Sequence, residues 1–122
     1  MLSKAQIQHI KSLEHKKFRQ EFGEFIVEGR KIITELINAP GPFRIKNLYL
    51  EEGFPGPAVD HPAEYISAKE MERISSQSTP SGALAVVEIP KVPVTMPQQG
   101  KLYLALDGVR DPGNFGTILR LA

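Results

Sequence analysis

The stretch Leu102-Tyr-Leu-Ala-Leu-Asp107-Gly-Val-Arg110-Asp111-Pro-Gly113-Asn114-Phe-Gly116-Thr117-Ile-Leu-Arg120 sets the expected fold. Its apolar run from Leu102 to Leu106, ended by Asp107-Gly108, has the make-up of a central strand buried on both faces of a parallel sheet. Asp111 to Gly116 then reads as a glycine-rich turn, with Gly113 and Gly116 supplying backbone freedom just before a helix. Such a strand, turn and helix start aim backbone N–H groups at a ligand. Two common phosphate-binding patterns do not fit. A Gly-x-Gly-x-x-Gly fingerprint finds only Gly113 and Gly116 at its spacing, and no lysine precedes Thr117 as a P-loop requires. The choice left open is between a ligand-binding turn and a plain βα connection in which Asp111, Pro112 and Asn114 make the bend and cap the helix.

Upstream, strands and helices alternate. Ser3 with Gln6 forms a capping-box pattern, and Ile7, Ile10 and Leu13 recur at helical spacing, so one helix is expected from Ser3 to Phe18. On it Lys4, Lys11 and His15 would share one side. Glu24-Phe-Ile-Val-Glu28 reads as a strand. After Gly29 comes a helix bearing Ile32, Ile33, Leu36 and Ile37, stopped by Pro40-Gly41-Pro42. Ile45 to Leu50 is a second strand, and Gly53-Phe-Pro55-Gly-Pro57 breaks regular structure. A short strand at Tyr65-Ile66 leads into a helix with a Ser67/Glu70 capping box, carrying Met71 and Ile74. The polar loop Ser75 to Gly82 precedes a fourth strand, Ala83 to Ile89. This alternation implies a compact α/β sandwich over residues 1–89. Residues 90–100 hold three prolines and read as a stiff linker. Residues 101–122 begin a second domain.

With 122 residues, 41% of them hydrophobic, the chain can bury one modest core. It has no cysteine, which excludes disulfides and thiolate metal sites and suits a reducing cytoplasm. No apolar run approaches membrane-spanning length, so no membrane partner is expected. His9, His15 and His61 share no metal-ligand spacing, so no metal is expected, and no Gly-x-Ser-x-Gly nucleophile pattern occurs. The net charge is only +1, but Lys4, Lys11, Lys16, Lys17 and Arg19 oppose Glu14 alone in the first nineteen residues, a local +4. The rest of the chain is therefore −3. That asymmetry suits either attraction to a polyanion or a solvated helix face.

The order Asn114-x-Gly116-Thr117-x-x-Arg120, directly after Leu106-Asp-Gly-Val-Arg-Asp-Pro-Gly113, closely resembles the first signature motif of the SpoU/TrmH family. Those proteins are RNA ribose 2′-O-methyltransferases that use S-adenosylmethionine. Lys17-Phe-Arg19, Gly23-Glu-Phe25-Ile-Val-Glu28-Gly29, Ile74-Ser75 and Thr79-Pro80-Ser-Gly82-Ala-Leu-Ala-Val-Val87 resemble the family's substrate-binding domain. The resemblance implies a small ribosomal-protein-like α/β sandwich followed by the first strand-turn-helix of a truncated SPOUT domain. In full, that α/β domain is tied into a trefoil knot, an exception to the rule against threaded chains. The family's later motifs would follow Ala122, which would stand about one turn into the helix. The cofactor-binding residues are accordingly expected beyond Ala122, as is the surface through which the longer parent would form a homodimer. S-adenosylmethionine is expected to bind that parent and not residues 1–122 alone.

The resemblance also implies roles. In the family the residue matching Arg120 activates the 2′-hydroxyl. Because a guanidinium has a pKa above about 12, gripping the adjacent phosphate and stabilising the developing alkoxide is the more economical role. Asn114 would hold that arginine or the ribose, or else cap the helix. On the substrate side Lys17, Arg19, Arg30 and Lys31 supply cationic groups, and Gln77, Ser78 and Thr79 supply slim donors and acceptors for structured ribosomal or transfer RNA. Glu28, at a strand end beside Gly29, suits a cap for the following helix. The expected function is RNA 2′-O-methylation, represented here by its recognition part. The alternative is a stand-alone RNA-binding module without catalysis.

Overall fold

The computed structural model describes residues 1–54 and 61–122; the break expected at Gly53-Phe-Pro55-Gly-Pro57 falls largely outside them. The chain divides into two compact units, Met1–Lys91 and Val92–Ala122.

The first unit opens with the Ser3 capping box. The Ser3 hydroxyl accepts the Gln6 N–H at 3.1 Å while the Gln6 side chain accepts the Ser3 N–H at 2.7 Å, satisfying two otherwise orphaned donors at the start of helix α1 (Lys4–Ser12). The single helix expected to Phe18 is two. Helix α1 ends at Ser12, His15 takes an extended backbone, and α2 (Lys16–Phe22) follows, closed by Gly23 at a left-handed φ of 65°. The cause lies in Arg19, whose Nη1 donates to the carbonyls of Leu13 at 3.0 Å and Glu14 at 2.8 Å. Those carbonyls lie just past the end of α1, so the guanidinium stabilises the break while Leu13 stays buried. His15 accordingly leaves the stripe it was expected to share with Lys4 and Lys11.

The chain continues through β1 (Glu24–Glu28), α3 (Arg30–Asn38), β2 (Arg44–Glu51), β3 (Glu64–Ile66), α4 (Ala68–Ile74) and β4 (Ala83–Glu88). The sheet order is β1-β4-β2-β3. Strand β4 runs antiparallel to both neighbours, and β2 is parallel to β3. As an inner strand covered on both faces, β4 reads as a continuous apolar run, buried from Ala83 to Val87. Its alternate side chains serve two cores. Leu84 and Val86 join Tyr49, Ile10, Leu13, Met71 and Ile74 under α1 and α4. Ala83, Ala85 and Val87 join Leu48, Leu50 and Ile33 under α3. The result is a helix–sheet–helix sandwich. Fully burying one side chain such as Leu84 contributes roughly 1.5–3 kcal/mol.

Helix α4 carries its expected capping box, Ser67 with Glu70. The Glu70 carboxylate also accepts the Leu2 N–H at 2.7 Å. The backbone N–H of Ser67, then that of Leu2, hold its carboxyl below the usual carboxylate range.

In the second unit, Leu102–Leu106 belongs to no strand, contrary to the sheet position expected for it, and Leu102 is 99% exposed. No neighbouring strand among the described residues pairs with it, and an extended segment without ladder partners has no sheet to join. Helix α5 (Pro112–Leu121) starts earlier than expected. The Asp111 side chain accepts the Asn114 N–H at 2.9 Å, and Pro112 sits at the first helical position, where its missing N–H costs nothing. Gly113, Asn114 and Gly116 therefore lie inside the helix rather than in a turn before it. No residue of this unit is buried. No helix among the described residues is long and apolar enough to cross a membrane.

Candidate nucleic-acid interface

A cleft of about 540 Å³ opens in the first unit beside α1, α2, β1 and the loop after α4. Ile10, Leu13 and Ile74 form its apolar floor with Ile26, and Arg19, Glu28, Ser76 and Gln77 supply its polar groups. Two devices hold those groups. Arg19 is fixed by the two carbonyls at the end of α1, which leaves its other guanidinium N–H groups without a protein partner among the described residues. Glu28 accepts hydrogen bonds from the Ser75 hydroxyl, from the Ser76 N–H at 3.1 Å and from the Ser76 hydroxyl at 2.6 Å. Ser75 in turn accepts the Gln77 N–H at 3.1 Å. The carboxylate thus anchors the loop that carries Gln77 and does not cap α3, whose N-cap residue Gly29 offers no side-chain acceptor.

The expected RNA-side residues divide around this cleft. Arg19 and Gln77 meet in it. Lys17 is exposed in the first turn of α2, with its ammonium 5.6 Å from the Phe18 ring centre, and Lys16 lies one turn before Arg19. Ser78 and Thr79 are exposed further along the same loop. Arg30 and Lys31 occupy the exposed first turn of α3, and Arg30 stacks over Phe54 at 5.5 Å. Phe54 lies against Gly82, where a Cβ would come within 2.7 Å of its ring, so this packing needs glycine at a φ of 85°. Gly29 N–H donates to Ala83 O at 3.2 Å, which joins the start of α3 to the end of the same polar loop.

Sequence reasoning places Ser75 in a family-like motif but finds neither its bond to Glu28 nor that of Ser76, and so misses the anchoring role of Glu28. Ser75 and Glu28 stand 47 residues apart, and their one local signal is a polar loop after a helix. His9, by spacing an ordinary helix-face residue, pairs at 3.1 Å with Glu24. That carboxylate is 3% exposed and also accepts from Lys46 at 3.3 Å, so the pair fastens α1 to the sheet.

In the second unit Asn114 lines a separate cleft of about 520 Å³ with Arg110, Asp111 and Thr117. Arg120 does not line it. Six residues apart on one helix, the two side chains project about 120° apart and about 9 Å along the axis, and no hydrogen bond among the described residues joins them. A Cβ on Gly116 would meet Arg120 Nη2 at 3.9 Å, an ordinary contact, so the packing there does not require glycine.

A model of the MRM3-like substrate binding domain matches residues 4–85. The mitochondrial rRNA methyltransferase 3 of Mus musculus is 30% identical over 120 residues, covering 90% of this chain and 29% of the relative. The 23S rRNA (guanosine(2553)-2′-O)-methyltransferase of Bacillus subtilis is 26% identical over 113 residues, covering 92% and 44%. Among solved structures, a TrmH-family protein from Porphyromonas gingivalis is 37% identical with a TM-score of 0.71, covering 98% of this chain and 47% of that one. The AdoMet-bound rRNA methyltransferase from Sinorhizobium meliloti is 29% identical with a TM-score of 0.69, covering 98% and 48%. The chain spans less than half the length of each of these relatives.

Proposed function

Because the chain belongs to the MRM3-like substrate binding domain family, we propose that it is the RNA-recognition part of an RNA ribose 2′-O-methyltransferase that takes S-adenosylmethionine. The observation that carries this reading is the convergence of Arg19 and Gln77 on one cleft, with hydrogen bonds holding the guanidinium of the first and the backbone of the second. Lys16 and Lys17 stand exposed on α2 beside it, where they meet phosphates without giving up burial. Ribosomal RNA is the substrate class named for the mouse and B. subtilis relatives, and structured RNA of that kind is the proposed partner here.

The residues present do not fit a complete cofactor site. The cleft beside Asn114 belongs to a unit with no buried side chain, so it offers a sulfonium ligand no desolvated wall. In a longer protein the cofactor would supply the methyl group. This chain's Arg120 would contribute a fixed positive charge at the ribose and its phosphate, with Asn114 on a different face of α5 orienting the sugar rather than the arginine. Dimerisation and a cytoplasmic site of action belong to the same proposal, tested by light scattering and by fractionation.

Gel shifts with a structured ribosomal RNA hairpin at several salt concentrations test the reading. The combined Lys16→Ala and Lys17→Ala change lowers affinity and reduces the slope of log affinity against log salt by about 1 for each phosphate no longer neutralised. An unchanged slope places the RNA elsewhere. The second reading, a binder without catalysis, wins if a longer protein with intact Arg120 transfers no methyl group.

A further inference from the structure

We infer that the cleft between α1, β1 and the loop 75–77 receives one unpaired nucleobase of the bound RNA. Arg19 and Gln77 read its edge, and Glu28 acts as a positioning residue. The inference rests on the RNA-binding reading above and adds what the cleft itself holds.

Size and lining come first. At about 540 Å³, with an apolar floor of Ile10, Leu13 and Ile74 and a polar rim of Glu14, Arg19, Glu28, Ser76 and Gln77, the cleft falls within the roughly 300–1,000 Å³ of small-ligand sites. A flat heteroaromatic ring suits such a floor. Charge gives a phosphate no advantage in the same place: Glu28 offsets Arg19 and Lys11 offsets Glu14, so an anion would meet a wall with no net positive charge. A neutral base needs none. Glu14 is paired with Lys11, and Glu28 accepts three hydrogen bonds, so neither carboxylate stands bare toward the ring. Phosphates are left to the exposed Lys16 and Lys17.

Preorganisation then makes the site selective. The guanidinium of Arg19 is held before any ligand arrives, with donors to spare. A rigid arginine fork suits the acceptor edge of a base, and a glutamine amide adds one donor and one acceptor. The Gln77 backbone is held, among the described residues, through the chain of bonds from its N–H to Ser75 and from Ser75 to Glu28, which places the amide at the cleft. Single-stranded and bulged bases are the parts of RNA whose edges are free to be read in this way.

Two hairpins of identical stem, one with a single 2-aminopurine bulge and one fully paired, test the inference. Affinities are measured by anisotropy, and burial of the bulged base by its fluorescence. Wild-type chain should favour the bulged hairpin by about tenfold, with a fluorescence change on binding. Gln77→Ala, in an exposed loop, should cut that ratio about fivefold. Glu28→Gln should cut it as well and raise amide exchange at Ser76 and Gln77. Lys16→Ala with Lys17→Ala should weaken both hairpins alike and leave the ratio. Equal affinity of wild-type chain for both hairpins, or an equal loss on both in Gln77→Ala, overturns the base-binding inference while leaving RNA binding intact. Binding of neither hairpin overturns both.

Discussion

The two units of the chain hold apolar runs of similar make-up and treat them in opposite ways. Ala83-Leu-Ala-Val-Val87 lies in β4 with ladder partners on both sides, and none of the five residues exceeds 2% exposure. Leu102-Tyr-Leu-Ala-Leu106 has no partner strand among the described residues, and its large side chains range from 41% to 99% exposed. Composition scarcely separates them. The difference teaches that burial belongs to the neighbours of a strand more than to its residues: β4 has β1 and β2 beside it and helices over both faces, whereas the second run has no ladder partner among the described residues.

The same chemical change made in both runs is the strongest way to break this comparison. Leu84→Ala should destabilise the first unit by roughly 2–5 kcal/mol, because it empties a fully enclosed site. Leu104→Ala should stay within about 0.5 kcal/mol. Urea melts followed by circular dichroism check both, and similar costs would mean that the second run is packed after all.

A backbone change of intermediate size sharpens the contrast. Gly82 and Gly108 both hold left-handed φ values, 85° and 68°, but a Cβ on Gly82 would strike Phe54 while one on Gly108 meets nothing within 4 Å. Gly82→Ala should cost the first unit roughly 1–3 kcal/mol. Gly108→Ala should leave its melting midpoint where it was, as differential scanning calorimetry would show.

The smallest effect concerns pH. The N–H groups of Ser67 and Leu2 hold the Glu70 carboxyl below its ordinary value of 4.5, so the folded first unit binds this proton less readily than the unfolded chain. The stability it contributes is therefore fully present above that ordinary value and lost as pH falls through the depressed folded one. In Glu70→Gln the acid limb of stability against pH should be shallower than in wild type, measured by urea midpoints between neutral and acidic pH. An identical limb would show that the tie between Leu2 and α4 carries no charge-dependent stability. Asp111 caps α5 only locally, so Asp111→Ala should lower α5 helicity by NMR and leave the first unit's melt unchanged.

Much of the first unit is legible because its signals are local. The Ser3/Gln6 and Ser67/Glu70 boxes lie three residues apart, and the strands of the sheet and the helix over Ile33 follow from apolar spacing alone. The break between α1 and α2 is not legible, since it depends on Arg19 reaching back five and six residues to free carbonyls. Half of the cleft is legible for the same reason. Arg19 and Gln77 stand out as polar groups near expected loops, whereas Glu28 looks like a helix cap because its true partners, Ser75 and Ser76, are remote in sequence. The pairing of His9 with buried Glu24 is hidden likewise, because two titratable residues on separate elements reveal nothing until those elements pack.

By itself the sequence determined the four strands of the sheet, the Ser3 and Ser67 capping boxes and the family resemblance of its two ends, because each is written in spacings of a few residues or in contiguous motifs. Only the tertiary structure decided which apolar run becomes an inner strand and that Glu28 holds the loop of Gln77. Those outcomes depend on what distant segments place beside a residue, and the free energy of a buried side chain or a satisfied carboxylate comes from such neighbours.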